Sequence, residues 1–304
     1  MLIYNMEIQD RSQLLTEQRN PRTFNIDCKT TLEIVDIINA EDASVFTAVY
    51  KEREHIAQAA DLIVTAFMEG GRLMYVGAGT SGRLGILDAT ECPPTYGTDP
   101  ALITGIIAGG EKAVFQSVEG AEDFPEYGAR DIQQKGVSHK DVIVGITTGG
   151  TTPYVMGALF EAKKRNAKTI FLCCNKETLP HFEVDIIIRP ITGPEVITGS
   201  TRMKAGTATK LILNMLTTTS MIKTGKVYEN LMVDLRATNV KLTDRAERII
   251  MTVTGINRED AKKLLDLAFG NAKIAIVMQK LGIDYPEAKK RLDAQGGFVR
   301  KVLK

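Results

Sequence analysis

The chain predicts an α/β protein: a doubly wound, five-stranded parallel sheet with an N-terminal helical arm and a small C-terminal helical domain. Three observations carry this. Five apolar runs, at residues 73–76, 103–108, 142–147, 169–174 and 185–188, alternate with helical patterns. The runs are continuous rather than alternating, as in strands covered by helices on both faces. After about Leu242 the pattern changes to short helices separated by tight turns. The expected organisation is an arm over 1–50, a sheet domain over 51–242 and a helical domain over 243–304.

Each element has its local signal. Asn20-Pro21 breaks any helix in the arm, and residues 30–39 read as a short amphipathic helix. Residues 52–69 form a longer helical pattern closed by Gly70-Gly71. Within the sheet domain, helical segments fall at 84–89, 113–116, 126–134 and 153–165. A long helix over 204–224 is apolar on one face. In the last domain, helices are expected at 258–268, 271–280 and 285–294, with Asn257 as an N-cap. Three helices so short and so closely spaced resemble a ubiquitin-associated (UBA)-like module.

Composition narrows the function classes. The chain has 304 residues and is 44% hydrophobic, enough for a large core and an appended domain. Lys and Arg number 38 against 37 Asp and Glu, so no basic stripe calls for nucleic acid. No apolar stretch approaches a membrane span, and the N-terminus lacks a signal-peptide core. Four cysteines (Cys28, Cys92, Cys173, Cys174) show no metal-ligand spacing, and three histidines (His55, His139, His181) sit in no motif. A reduced, cytoplasmic protein without a metal site is the expectation.

The richest chemistry lies in Gly77-Ala78-Gly79-Thr80-Ser81-Gly82, which follows the first apolar run and opens a helix. Backbone N–H groups and the helix dipole at such a junction form an anion site, with Thr80 and Ser81 adding hydroxyl donors. Arg83, on the following turn, joins the candidates. The glycines fit the loose G-x-G-x-x-G spacing, but Asp99 sits in a Thr98-Asp99-Pro100 turn rather than closing a second strand. No Walker lysine follows. A monophosphate therefore fits better than a dinucleotide or ATP.

Two further loops follow apolar runs. Thr147-Thr148-Gly149-Gly150-Thr151-Thr152 precedes a helix with Pro153 at its start. The segment from Thr192 to Lys204 carries Glu195, Ser200, Thr201, Arg202 and Lys204. Doubly wound folds bind ligands beyond the carboxyl ends of their strands, so three such loops together point to a sugar-phosphate site. Carboxylates lie at Glu91, before Cys92-Pro93-Pro94, and in the cluster Glu119-Gly120-Ala121-Glu122-Asp123. Glu91 and one acid of that cluster could share general acid and base roles.

At these residues the chain resembles sugar isomerase (SIS) domain proteins and, within them, N-acetylmuramic acid 6-phosphate etherases. The similarity includes Leu15-Thr16-Glu17-Gln18-Arg19-Asn20-Pro21, the 72–97 block, residues 105–123, the 193–214 block, Asn230-Leu231-Met232-Val233-Asp234, Ala237-Thr238-Asn239-Val240-Lys241-Leu242 and Gly296-Gly297-Phe298-Val299-Arg300. The resemblance implies a lyase that releases D-lactate from the sugar C3 in peptidoglycan recycling. It implies a homodimer that uses neither metal nor nucleotide cofactor. It matches Glu91 to the proton donor and selects Glu122 as the second active-site glutamate.

The family's second loop often reads Ala-Ser-Gly-Arg-Thr-Pro-Tyr. Here Gly149 replaces the serine and Thr151 the arginine, so Arg202 or Lys204 would have to serve instead. Two other classes stay open on the residues: a non-catalytic sugar-phosphate binder similar to glucokinase regulatory protein, and a SIS sugar-phosphate isomerase.

Overall fold

The computed structural model describes residues 11–235 and 240–304. The first ten residues of the arm, and Ala237, Thr238 and Asn239 of the sequence motif, lie outside the described residues. Short 3-10 turns at Arg11–Gln13, Leu15–Glu17, Pro21–Thr23 and Ile26–Cys28 lead into helix α1 (Thr31–Lys51). Helix α1 is twice as long as expected. Thr30 and Glu33 form a reciprocal capping box at its start. Its second half continues because Val45, Ala48 and Val49 are buried and Glu41 finds partners in the interior.

The sheet then builds as α2 (Arg53–Met68), β1 (Leu73–Gly77), α3 (Gly79–Tyr96), β2 (Ile103–Ile107), α4 (Lys112–Phe115), α5 (Pro125–Gln134), β3 (Val142–Ile146), α6 (Pro153–Lys164), β4 (Lys168–Leu172) and β5 (Ile186–Ile188). Helix α7 (Lys204–Lys223) completes the layer. The strand order is β2-β1-β3-β4-β5, and every pairing is parallel. All five runs read from sequence are strands.

The alternation of the pleat divides the core. Leu73 and Tyr75 face a cluster that holds Ile56, Ile63, Ile212 and Leu216 from α2 and α7. Met74 and Val76 face Ile132, Val155 and Leu159 from α5 and α6. Both faces are covered, which is why strands β1 and β3 are buried at every position.

Two further regions differ from expectation. Helix α3 starts at Gly79, so the glycine loop is largely its first turn, and Glu91, Cys92, Pro93 and Pro94 lie within the helix. The C-terminal part contains five helices among the described residues rather than three: α8 (Val240–Thr254), α9 (Arg258–Leu267), α10 (Ala272–Leu281), α11 (Tyr285–Ala294) and α12 (Val299–Val302). Helix α8 carries its signal openly, since Leu242, Ala246, Ile249 and Ile250 fall on one buried stripe. These helices share one apolar cluster, from Val233 to Val299, separate from the two that flank the sheet.

Helices α5 and α6 meet through glycine. A Cβ on Gly157 would fall 1.9 Å from the Pro125 carbonyl oxygen, and one on Gly128 equally close to that of Tyr154. Backbone cannot yield to a methyl group as a side chain can. Gly157→Ala should therefore lower stability by about 1–3 kcal/mol or more. The check is a lower urea midpoint with an unchanged slope.

Candidate active site

The strand order reverses between β1 and β3, and ligands of doubly wound sheets bind at that point. The carboxyl end of β1 runs straight into α3. Ala78 is extended and Gly79 takes a left-handed φ of 52°, which turns the chain into the helix within one residue. The turn is tight: a Cβ on Gly82 would lie 2.5 Å from Ile107 Cγ1 and 2.8 Å from the Gly77 carbonyl oxygen. The N–H groups of Gly79 and Thr80 have no acceptor within the helix and are oriented along its axis. Ser81 is buried and Thr80 half-buried in the same turn.

The second loop leaves β3 beside this turn. Thr147 Oγ1 and Thr152 Oγ1 are hydrogen-bonded at 2.8 Å, which closes the loop into a ring ahead of α6. Gly150 has a φ of 78°, and the Gly149 carbonyl accepts from the Thr178 hydroxyl at 3.2 Å. Thr148 and Thr151 remain half-exposed on the open side. The third loop and the first both approach the start of α7: a Cβ on Gly206 would lie 3.7 Å from Thr80 Cγ2 and 3.5 Å from the Thr201 carbonyl oxygen. Ser200 and Thr201 are half-exposed and Arg202 is exposed.

Glu122 belongs to this neighbourhood. Its carbonyl accepts from Tyr154 N at 3.0 Å, which ties the acidic loop to the start of α6. Its side chain is exposed and, with Glu119, borders a cleft of about 260 Å³ whose other wall includes Gly79 and Arg83. Carboxylate and helix N-terminus thus share one cleft. Arg83, expected at the ligand, also has a structural role: Nε donates to the Val114 carbonyl at 3.0 Å and Nη2 to that of Gln116 at 3.3 Å. It fastens the segment after β2 to α3.

Three expected site residues stand apart. Glu91 lies twelve residues beyond Gly79 on α3 (about 18 Å along its axis) and is exposed. Within one chain it does not meet Glu122 in the cleft. Lys204 is fully buried and its ammonium donates to Glu41 Oε2 at 2.8 Å. Glu195 is also fully buried and accepts from the N–H groups of Lys204 and Ala205, both at 2.9 Å. Glu195 thus satisfies the first two amides of α7 from outside the helix, whose N-cap residue is Met203. Burial pushes its carboxyl above the usual range, against those two amides and the neighbouring Lys204. Of the two cations considered as stand-ins for the family's arginine, Arg202 alone faces outward.

Sequence reasoning missed the groups that hold the loops. Glu41 accepts from Arg22, from Asn20 Nδ2 at 2.8 Å and from Lys204. The Arg22 guanidinium is the largest influence that holds its carboxyl at about 2. Asn20 Nδ2 also reaches the Pro194 carbonyl, and Thr23 Oγ1 that of Val196 at 2.8 Å. The arm is therefore bound to the third loop. Asp88 is a second missed group. Buried in α3, it accepts from Tyr75 Oη at 2.9 Å, Asn214 Nδ2 at 2.7 Å and Thr217 Oγ1 at 3.2 Å. Burial raises its carboxyl. The sequence signal for Glu41 and Asp88 is an acid on the apolar face of an amphipathic helix. No metal-like cluster of His, Cys, Asp or Glu occurs among the described residues, and no described helix is long and apolar enough to cross a membrane.

Comparison with known proteins decides the family. The chain is 52% identical over 292 residues to an N-acetylmuramic acid 6-phosphate etherase of Photorhabdus laumondii, a match that spans 96% of this chain and 97% of that one. It is 50% identical over 299 residues to the enzyme of that name from Clostridioides difficile, with 98% of both chains aligned. The chain belongs to the N-acetylmuramic acid 6-phosphate etherase family. Residues 122–219 match the SIS domain, and residues 55–163 match the family described as glucokinase regulatory protein N-terminal SIS domain. A solved structure of a candidate phosphosugar isomerase involved in capsule formation, from Bacteroides fragilis, superposes with a TM-score of 0.50 at 20% identity. That superposition covers 66% of this chain and 95% of the other, and it supports the SIS fold of an etherase-family member.

The Glu41 network yields a stability prediction. Its carboxyl is depressed from the ordinary glutamate value of about 4.5 to about 2, so its contribution is complete above about pH 4.5 and is lost as pH falls toward 2. Glu41→Gln leaves Lys204 buried without a counter-charge and should cost roughly 3–5 kcal/mol at neutral pH. The double variant Glu41→Gln, Lys204→Met should recover part of that loss. Denaturant titrations at pH 7 and pH 3 check both statements, because the deficit of Glu41→Gln should shrink at pH 3.

Proposed function

We propose that this protein cleaves the D-lactyl ether of N-acetylmuramic acid 6-phosphate to N-acetylglucosamine 6-phosphate and D-lactate. One observation carries the reading: relatives of that name match the chain at half identity from end to end. The site is consistent with it, since Glu122 borders a cleft walled by the amide-rich start of α3. The reaction belongs to amino sugar catabolism in peptidoglycan recycling. A cytoplasmic setting accords with four free cysteines, three of them buried.

The chemistry follows from the sugar. In the open-chain form, the C1 aldehyde acidifies the C2 hydrogen. A base takes that proton, the C3–O bond breaks, and an acid protonates the departing lactate oxygen. Water then adds at C3 of the unsaturated aldehyde, and the proton returns to C2. The balance is one water consumed and one lactate released. We assign Glu122 to the C2 proton, and Glu91 to lactate protonation and then to activation of water. Each transfer by a placed carboxyl is worth about 10²–10⁴-fold. Gly79, Thr80, Ser81 and the hydroxyls of Thr147, Thr148, Thr151 and Thr152 hold the 6-phosphate, helped by the α3 and α6 dipoles.

The assignment requires Glu91 and Glu122 to meet, and a homodimer brings them together. Glu91 lies one turn from Leu87, an exposed apolar residue on α3. Leu32, Val35, Phe46 and Tyr50 on α1 and Met215 on α7 are also exposed, and α7 packs on both α1 and α3. A second copy covering this face would bury them and carry Glu91 of the partner subunit toward the cleft.

Glu91→Gln should lower D-lactate release by about 10²–10⁴-fold. Glu122→Gln should in addition abolish exchange of the C2 hydrogen with deuterated water; exchange at the wild-type rate removes Glu122 from that step. Co-refolding the two inactive variants discriminates the geometry. Recovery toward about a quarter of wild-type activity supports a site shared between subunits, whereas no recovery means that each chain supplies both acids. Ser81→Ala should raise KM for the phosphorylated substrate roughly tenfold. An unchanged KM takes Ser81 off the phosphate.

A further inference from the structure

The 3-10 turn Leu15–Glu17 lies across the second and third loops. A Cβ placed on Gly149 would sit 3.9 Å from Thr16 Oγ1 and 3.8 Å from Thr151 Oγ1, so both hydroxyls border the same point above the second loop. A Cβ on Gly199 would sit 3.1 Å from Glu17 Oε2, so the next side chain reaches the third loop. The turn is held in place on its C-terminal side by Asn20, which bonds Glu41 and Pro194, and by Thr23, which bonds Val196. Thr16 is 1% exposed, yet its hydroxyl has no hydrogen-bond partner among the described residues. A buried hydroxyl without a partner is costly, and such a group beside a ligand loop is poised for one.

We propose that the Leu15–Glu17 turn is a substrate-reading strap, in which Thr16 donates to a phosphate oxygen over the 147–152 loop and Glu17 accepts from a hydroxyl or amide of the sugar. The direction follows from charge. An ionised carboxylate only accepts hydrogen bonds and repels a phosphate, so the anion belongs at the Thr16 end and the neutral sugar at the Glu17 end. The proposal rests on the sugar-phosphate reading above and gives that site a polarity. It also gives the arm a reason to be fastened so firmly: a loose strap cannot orient a ligand.

The test uses the full chain, with calorimetric binding of N-acetylglucosamine 6-phosphate and of inorganic phosphate, and Tm by scanning calorimetry. Thr16→Val removes the hydroxyl and keeps the shape. It should weaken both ligands roughly tenfold without lowering Tm, and Thr16→Ser should stay near wild type. Glu17→Gln should weaken the sugar phosphate several-fold and leave inorganic phosphate unchanged or tighter. Wild-type affinity in Thr16→Val overturns the proposal. So does a lowered Tm, which would mean that the hydroxyl already serves the fold. Weaker inorganic phosphate in Glu17→Gln reverses the assigned polarity and overturns it as well. The etherase reading fails separately: a wild type that binds N-acetylglucosamine 6-phosphate but releases no lactate, with Thr16→Val still weakened, leaves the strap standing. No binding of either ligand to wild type sinks both.

Discussion

The buried carboxylate of Glu41 is the contact on which the arrangement of the loops depends. Two cations and an amide converge on it: Arg22 and Asn20 from the arm, Lys204 from the first residue of α7. An isolated charge at 5% exposure would be prohibitively expensive, so these groups are obliged to stay together. Because they come from three distant parts of the chain, one ionic cluster fixes the arm, α1 and the start of α7 relative to one another. Glu195 extends the effect by capping the same helix end. Residues that look like ligand-binding groups in sequence are here the fixings that shape the third loop.

Around that fixture the sheet topology does the rest. The parallel order β2-β1-β3-β4-β5 makes α3 and α6 both begin at the carboxyl edge, on either side of the reversal point. Their unsatisfied N–H groups and partial positive charge then lie near one another without any cation having to be buried for the purpose. Arg83 braces the segment after β2, and the Glu122 backbone is tied to the start of α6. The result concentrates donors at one edge and places an acid beside them.

The strands were legible in the sequence because full burial on both faces writes a continuous apolar run, and each of the five became a strand at nearly the same residues. The helix N-termini were legible through their glycines, hydroxyls and Pro153. What was not legible follows from long-range pairing. The signal for the second half of α1 is faint, since Glu41 on the apolar face interrupts it until Lys204 is brought against that carboxylate. Lys204 reads as a ligand cation for the same reason. A short helix at 84–89 leaves Glu91 in a loop beyond it, whereas the continuous helix α3 carries it three turns from Gly79. Local pattern fixes the type of an element; the partner of a charged group can lie far away in sequence, as Lys204 lies 163 positions from Glu41.

The second loop shows how a site can change its donors and keep its frame. Where the resemblance leads one to expect a serine and an arginine, this chain has Gly149 and Thr151. Lys204 cannot replace the cation, since moving it would abandon Glu41. Arg202 is exposed on the adjoining loop and is free of that constraint. The lost hydroxyl has a different remedy. Gly149 has room for a side chain, and that space is bordered by the hydroxyls of Thr16 and Thr151. A glycine here leaves Thr16 without the in-chain partner that a serine could supply, and so leaves its hydroxyl to a ligand. The substitution that looks like a loss in sequence thus passes a hydrogen-bonding role from the loop to the strap that covers it, and the strap can take it up because the Glu41 cluster holds it in place.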